Sequence, residues 1–238
     1  MKDGNGKLLT TEKEFKAEAA KYFTNVFENK PADKDVKQHS IDREKLCKLR
    51  LKESAQKKTP LWTSKDVKCA IKDLNKGTYK YSYGIPYELY QEGIVRDGLL
   101  AGVVTFMIKI KENPMEYPST MEQYNVTSIY KNKGDRSNYN SHRGVFRTKI
   151  LRNILDRLIY NDEYNTVDQN LTDCNVGLRK KRNIRDNLFV MNAIMNSSKQ
   201  GTDKPCTICV YDISKCFDSQ WLAECINDLY SVQRGAKK

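Results

Sequence analysis

Val210-Tyr211-Asp212-Ile213-Ser214-Lys215-Cys216-Phe217-Asp218 is the stretch of this sequence whose residue types come nearest to chemistry. Residues Thr207 to Ile213 alternate in the manner of a strand. A β-branched strand that ends in Asp212 sets a carboxylate at its C-terminal edge, and hard divalent cations such as Mg2+ take oxygen ligands of that kind beside substrate phosphates. The competing reading makes Asp212 a turn or cap residue after the strand. One carboxylate does not by itself build a metal site. Cys206-Thr-Ile-Cys209 has zinc-knuckle spacing, but no second Cys or His pair accompanies it, and strand alternation would turn the two thiols to opposite faces.

A second group is basic. Arg179, Lys180, Lys181, Arg182 and Arg185 cluster within seven positions, and the whole chain carries 42 Lys and Arg against 30 Asp and Glu, a net charge of +12. An excess of that size is the footprint expected of a protein that follows a phosphate backbone; a merely basic soluble protein is the bland alternative. The alternating Tyr79, Tyr81 and Tyr83 would either stack on bases or pack a loop. His39 and His142 are lone histidines without a partner at metal-ligand spacing and read as surface residues.

The elements that must hold these groups are mostly helical. A Gly-rich turn, Asp3-Gly4-Asn5-Gly6, precedes an amphipathic helix with Phe15, Ala19, Tyr22, Phe23, Val26 and Phe27 at helical spacing. Residues 31 to 60 are Lys-rich and nearly devoid of large apolar side chains, which predicts a mobile basic linker or an exposed helix, with a boundary near Pro60. Thr63 or Ser64 then caps a helix with Val67, Ile71 and Leu74 on one face. Helices are also predicted over Tyr87 to Glu92, over 95 to 112, from Lys149 to Tyr160, from about Asp186 to Ser197, and from Trp221 to Tyr230. Val126 to Tyr130 reads as a short strand and Lys131 to Arg136 as a basic turn. The expected fold class is α+β, mostly helical with few short strands. Seven cysteines, an odd count without a secretory leader, favour reduced thiols in the cytoplasm or nucleus. The longest apolar run, Gly98 to Ile108, is too short to span a bilayer, so no membrane partner is expected.

The order of segments from about Trp62 to Tyr230 resembles the reverse transcriptase domain of LINE-type non-LTR retrotransposons. Thr63-Ser64-Lys65-Asp66-Val67-Lys68-Cys69-Ala70-Ile71 is similar to the helix that opens that domain, and Tyr83-Gly84-Ile85-Pro86-Tyr87-Glu88-Leu89 to its Asp-Gly-Ile-Pro-x-Glu segment. Ser128 to Asp135 resembles the fingers strand and its basic turn, and Asn138-Tyr139 through Arg143-Gly144-Val145-Phe146 the Asn-Tyr-Arg-Gly-Ile segment. Asn175 to Asp186 is similar to the Gly-Phe-Arg-Lys-Gly-Arg-Ser-x-x-Asp template-side segment, and Tyr211 to Asp218 to the first catalytic motif, Asp-x-x-Lys-x-Phe-Asp.

This resemblance implies the fold of the fingers and first palm strand of a right-hand polymerase. Residues 1–60 would form a helical arm and basic linker, and residues 61–238 a partial reverse transcriptase domain ending after the first catalytic motif. It implies RNA-directed DNA synthesis with Mg2+, deoxynucleotides, an RNA template and a DNA primer. Asp212 would be one of two carboxylates holding the metal pair, with the carbonyl of Ile213 as a further ligand. Phe217 would be the gate that excludes a ribose 2′-hydroxyl, its alternative being a core residue. Lys131 and Arg143 would clamp the triphosphate, a solvated turn being the alternative for Lys131. Arg179, Lys180, Lys181, Arg182 and Arg185 would meet template backbone. Departures from the family pattern are Tyr83 at a usually acidic position, the interruption Asn140-Ser141-His142 before Arg143, and Leu178 where Phe is usual. The second catalytic motif, primer grip and thumb find no counterpart in these 238 residues. The expectation is therefore a fragment inactive alone, its missing half supplied by a partner chain, or a non-catalytic RNA- or DNA-binding module.

Overall fold

Thr63 and Asp66 close a reciprocal capping box. The Thr63 hydroxyl accepts from the Asp66 backbone N–H (3.3 Å), and the Asp66 carboxylate accepts from the Thr63 N–H (2.7 Å). This starts the third helix of a computed structural model that describes residues 1–27, 34–55, 60–74, 90, 96–177, 179–201, 207–213 and 220–233. Within those, the side chains at 27, 34–37, 39–40, 51, 53–55, 96–97, 115, 199–201 and 233 are not described.

The fold is α+β and mostly helical, with seven helices and one two-stranded sheet among the described residues. In chain order these are α1 (Glu12–Phe27), α2 (Lys34–Ala55), α3 (Ser64–Lys72), α4 (Arg96–Glu112), β1 (Tyr124–Tyr130), β2 (His142–Thr148), α5 (Ile150–Asn170), α6 (Ile184–Gly201) and α7 (Leu222–Gln233). Chain contacts divide it into two units, Met1–Ile41 with Leu51–Glu163, and Asp42–Arg50 with Tyr164–Lys238.

The core of the first unit joins three helices. Val67, Ala70 and Ile71 of α3, Val103, Met107 and Ile110 of α4, and Ile150, Ile154, Leu155 and Leu158 of α5 are buried together with Trp62, Leu74 and Met121. Each set recurs every three or four residues, which turns one apolar stripe per helix inward. Lys111 sits with only 13% of its side chain exposed, its ammonium 4.2 Å from the centre of the Trp62 ring. Asp162 accepts from both that ammonium (2.9 Å) and the Trp62 indole N–H (2.8 Å). A nearly buried cation is thereby paired and hydrogen-bonded.

β1 and β2 run antiparallel in a register that sets Tyr124 opposite Thr148 and Tyr130 opposite His142. One face of this hairpin carries α1: Phe23 meets Phe146 edge-on at 6.0 Å, Tyr22 stacks on Tyr139 at 5.7 Å, and the Tyr139 hydroxyl donates to the Phe15 carbonyl (3.2 Å). The N-terminal turn closes as an isolated bridge between Lys2 and Leu8, with Gly6 at φ +84°.

In the second unit, Arg43 of α2 forms a two-pronged ion pair with Glu224 of α7. Fully buried Asn227 donates to the Arg43 carbonyl (3.1 Å), while Arg50 donates to the Asn227 carbonyl and side-chain oxygen.

The Lys-rich stretch therefore holds a helix, α2, rather than a linker. The sequence pattern missed β2 and stopped α5 ten residues early. The expected strand Thr207–Ile213 has no strand partner among the described residues; a strand exists only through its neighbour's hydrogen bonds. The helix expected over Tyr87 to Glu92 falls mostly outside the described residues.

Candidate functional site

The hairpin positions the two residues expected to meet a triphosphate. Lys131 follows β1 directly; its backbone N–H donates to the Ser141 carbonyl (2.8 Å) and its ammonium to the Asn140 carbonyl (3.0 Å). Arg143 stands in β2 opposite Ile129 and is exposed, its side chain making no hydrogen bond or ion pair to any described residue. The pair therefore lies at the turn end of one hairpin, both exposed, with the Lys131 ammonium tied to the loop and Arg143 facing solvent.

The loop between them is tightly built. Asn132 (φ +56°) and Gly134 (φ +83°) take left-handed conformations. The Tyr130 hydroxyl donates to the Gly134 carbonyl (2.7 Å), and the Arg136 guanidinium lies 5.8 Å from the Tyr130 ring centre. Asp135 accepts from the Ser137 backbone N–H and hydroxyl, both at 2.8 Å, and that backbone bond leads the effects holding its carboxyl below the usual range. His142 is half-buried between the rings of Tyr130 and Tyr139, its Nδ1 2.9 Å from the Asn138 carbonyl.

Neither strand of the hairpin contains an acidic residue. On the face away from α1, Arg143, Val145 and Arg147 are exposed in a row, and Arg147 donates across the sheet to the Thr127 hydroxyl (3.0 Å). Arg147 was not singled out by the sequence pattern. Its signal was the even spacing with Arg143, legible only once β2 is recognised as a strand.

The other expected groups belong to the second unit. Asp212 and Ile213 are exposed, as are Val210 and Tyr211 at 84% and 90%. Phe217 lies outside the described residues, as do Cys206, Leu178 and Tyr79 to Tyr83. Among the described residues no three His, Cys, Asp or Glu side chains gather where a metal ion would bind. Asp212 supplies one oxygen donor group without a companion, so the described donor set does not fit a Mg2+ pair.

The basic turn is ordered around Arg179. Only 8% of its side chain is exposed; it pairs with Asp168 at 2.8 Å and donates to the carbonyls of Thr172 (2.9 Å), Asn175 (3.1 Å) and Asp168 (3.2 Å). The guanidinium hydrogen bond leads the effects that pull the Asp168 carboxyl down, and the same bond raises Arg179. The Tyr164 hydroxyl donates to Asp168 (3.2 Å) and accepts from the Lys180 N–H (2.8 Å), while the Lys180 ammonium lies 4.3 Å from the Tyr164 ring centre. Lys181 has φ +61°, Arg182 pairs with exposed Asp173 (2.9 Å), and Arg185 is exposed in the first turn of α6. Asn183 and Asp186 cap that helix reciprocally: the Asn183 side chain accepts from the Arg185 N–H, and Asp186 accepts from the Asn183 N–H.

Comparison with known proteins finds no family profile that matches this chain and no curated protein that resembles it. No described helix is long and apolar enough to cross a membrane.

Proposed function

We propose that this chain, part of which resembles a LINE-type reverse transcriptase domain, binds single-stranded nucleic acid through basic surfaces in the cytoplasm or nucleus. The observation that supports the reading best is the acid-free outer face of the hairpin, where Arg143 and Arg147 are exposed next to Lys131. Guanidinium groups suit phosphate because their paired N–H donors match its oxygens. The turn from Lys180 to Arg185 is the second basic surface.

The test is binding of a labelled oligouridylate RNA by the purified chain across a salt series. Log affinity should fall linearly with log salt, and Arg143→Glu and Arg147→Glu should each flatten the slope, by about 0.7 for every single-strand phosphate that is no longer neutralised. Salt-independent binding, or none, would sink the reading.

Nucleotidyl transfer is the second reading, favoured by the match of Tyr211 to Asp218 to the first catalytic motif. It needs a further carboxylate set to join Asp212 around Mg2+, and a partner chain supplying the rest of a palm is our proposed source. Primer extension on an RNA template with Mg2+ and deoxynucleotides is expected to be undetectable with the chain alone. Extension abolished by Asp212→Ala would instead make the chain a self-sufficient polymerase.

A further inference from the structure

The turn that carries Lys180, Lys181 and Arg182 is fastened by groups that the sequence pattern gave other roles or none. Arg179 has the sequence position of a phosphate contact, yet its guanidinium is 8% exposed and is occupied by one carboxylate and three backbone carbonyls. Asp168 and Tyr164, in the last turns of α5, were not expected to matter. A cation with four internal acceptors has few donors left for a ligand.

We infer that Arg179 is a positioning residue: clamped by Asp168, it fixes the basic turn so that Lys180, Lys181, Arg182 and Arg185 present their charges together. The inference rests on the nucleic-acid reading above.

The local geometry explains why a clamp is required. Lys181 holds a left-handed backbone conformation that non-glycine residues adopt only when their surroundings enforce it. Enforcement comes from both sides of the turn. Arg179 ties the entering chain to Asp168, Thr172 and Asn175, and the Asn183–Asp186 cap fixes the exit into α6. The Tyr164 hydroxyl bridges the two halves of the clamp, donating to Asp168 and accepting from the Lys180 N–H. Four cations within seven residues repel one another, so an unclamped turn would spread them, and preorganisation against that spread favours a closely spaced row of phosphates.

Asp168→Asn separates the alternatives by sign. The substitution adds one unit of positive charge and frees Arg179. If Arg179 contacted phosphate, RNA affinity would rise; as a positioning residue its release should lower affinity by roughly tenfold. The probe is a labelled oligouridylate in a fluorescence anisotropy titration of the full chain, at a temperature where circular dichroism reports both proteins folded. Asp168→Glu should retain most of the affinity, and exchanging the pair (Asp168→Arg with Arg179→Asp) should restore part of it. Tyr164→Phe, which removes only the bridging hydroxyl, serves if Asp168→Asn does not fold, and it should weaken binding in the same direction. A role confined to stability would lower the melting temperature and leave the affinity of the folded protein unchanged. Unchanged or tighter binding by folded Asp168→Asn, or by Tyr164→Phe in its place, overturns the assignment alone. Absence of RNA binding by the wild-type chain overturns the nucleic-acid reading and this assignment with it.

Discussion

Phe23 lies so close to Gly144 that a β-carbon at position 144 would stand 2.6 Å from the Phe23 Cε1 atom and 3.1 Å from its Cζ. The absence of a side chain there is what lets α1 settle on the hairpin. Phe23 cannot simply swing away, because its ring already meets Tyr22 at 5.2 Å and Phe146 at 6.0 Å.

Gly144→Ala should therefore destabilise the fold by about 1–3 kcal/mol, the usual range for overpacking a filled site. Gly102 in α4 provides the contrast, since nothing lies within 4 Å of the β-carbon it would gain. Gly102→Ala should stabilise by about 0.5–1 kcal/mol through helix propensity alone. Urea unfolding of both variants measures the difference; equal effects of the same sign would remove Gly144 as the docking point of α1.

Removing the carboxylate shared by Lys111 and Trp62 should be more damaging than removing either single hydrogen bond. Asp162→Asn leaves the Lys111 ammonium, 13% exposed, beside a neutral amide and the Trp62 ring. Breaking a largely buried ion pair from one side leaves an unpaired charge, and with Asp162 itself 43% exposed the expected loss is about 2 kcal/mol. Lys111→Met keeps an apolar stem beside the Trp62 ring and takes one hydrogen bond from a carboxylate that is 43% exposed, about 1 kcal/mol. A smaller effect for Asp162→Asn than for Lys111→Met in chemical denaturation would contradict this ranking.

What the sequence made legible was local. The cap at Thr63, the apolar stripe of α3, the buried helix α4 and the basic loop after Tyr130 all follow from residues within one or two turns of each other. Hidden were features that depend on distant partners. β2 reads His142-Arg143-Gly144-Val145-Phe146-Arg147-Thr148, where glycine and two arginines obscure the alternation until its pairing with β1 is known. Thr207–Ile213 alternates well yet has no partner strand among the described residues, so alternation alone overstated it. Asp168 reaches Arg179 across 11 residues and Arg43 meets Glu224 across 181; no periodicity encodes such pairs. For the candidate site, the sequence singled out Lys131 and Arg143, while their sharing of one hairpin, the burial of Arg179 and the exposure of Arg147 came only from packing.

Glu14 gives the fold a pH dependence at its N-terminal helix. Its carboxylate accepts from the backbone N–H groups of Thr10 and Thr11, both at 3.0 Å, and the Thr10 bond leads the effects that lower it from 4.5 to about 2. A depressed folded-state value means the contribution is complete above the unfolded value near 4.5 and fades as pH falls toward 2. The melting temperature of the wild-type chain should exceed that of Glu14→Gln by a constant amount above about pH 5, with the gap closing below pH 4.5 as the carboxylate protonates. A gap that persists unchanged at pH 2 would mean that Glu14 acts through packing instead of charge.

Asn227 is fully buried and is the hub of the second unit's helix pairing. Its amide donates to the Arg43 carbonyl, and its own carbonyl groups receive Arg50, whose guanidinium also lies 4.9 Å from the Tyr230 ring centre. Asn227→Ala strips one donor from the part-buried Arg43 carbonyl and one acceptor from Arg50 and empties a fully buried site, a penalty of about 1–3 kcal/mol. Tyr230→Phe keeps the ring under the guanidinium, so the cation–π contact should be almost unaffected. Native-state hydrogen exchange distinguishes local from global loss: Asn227→Ala should speed exchange throughout α7 while leaving α3 and α4 protected. Uniform acceleration across both units would show instead that the two unfold as one.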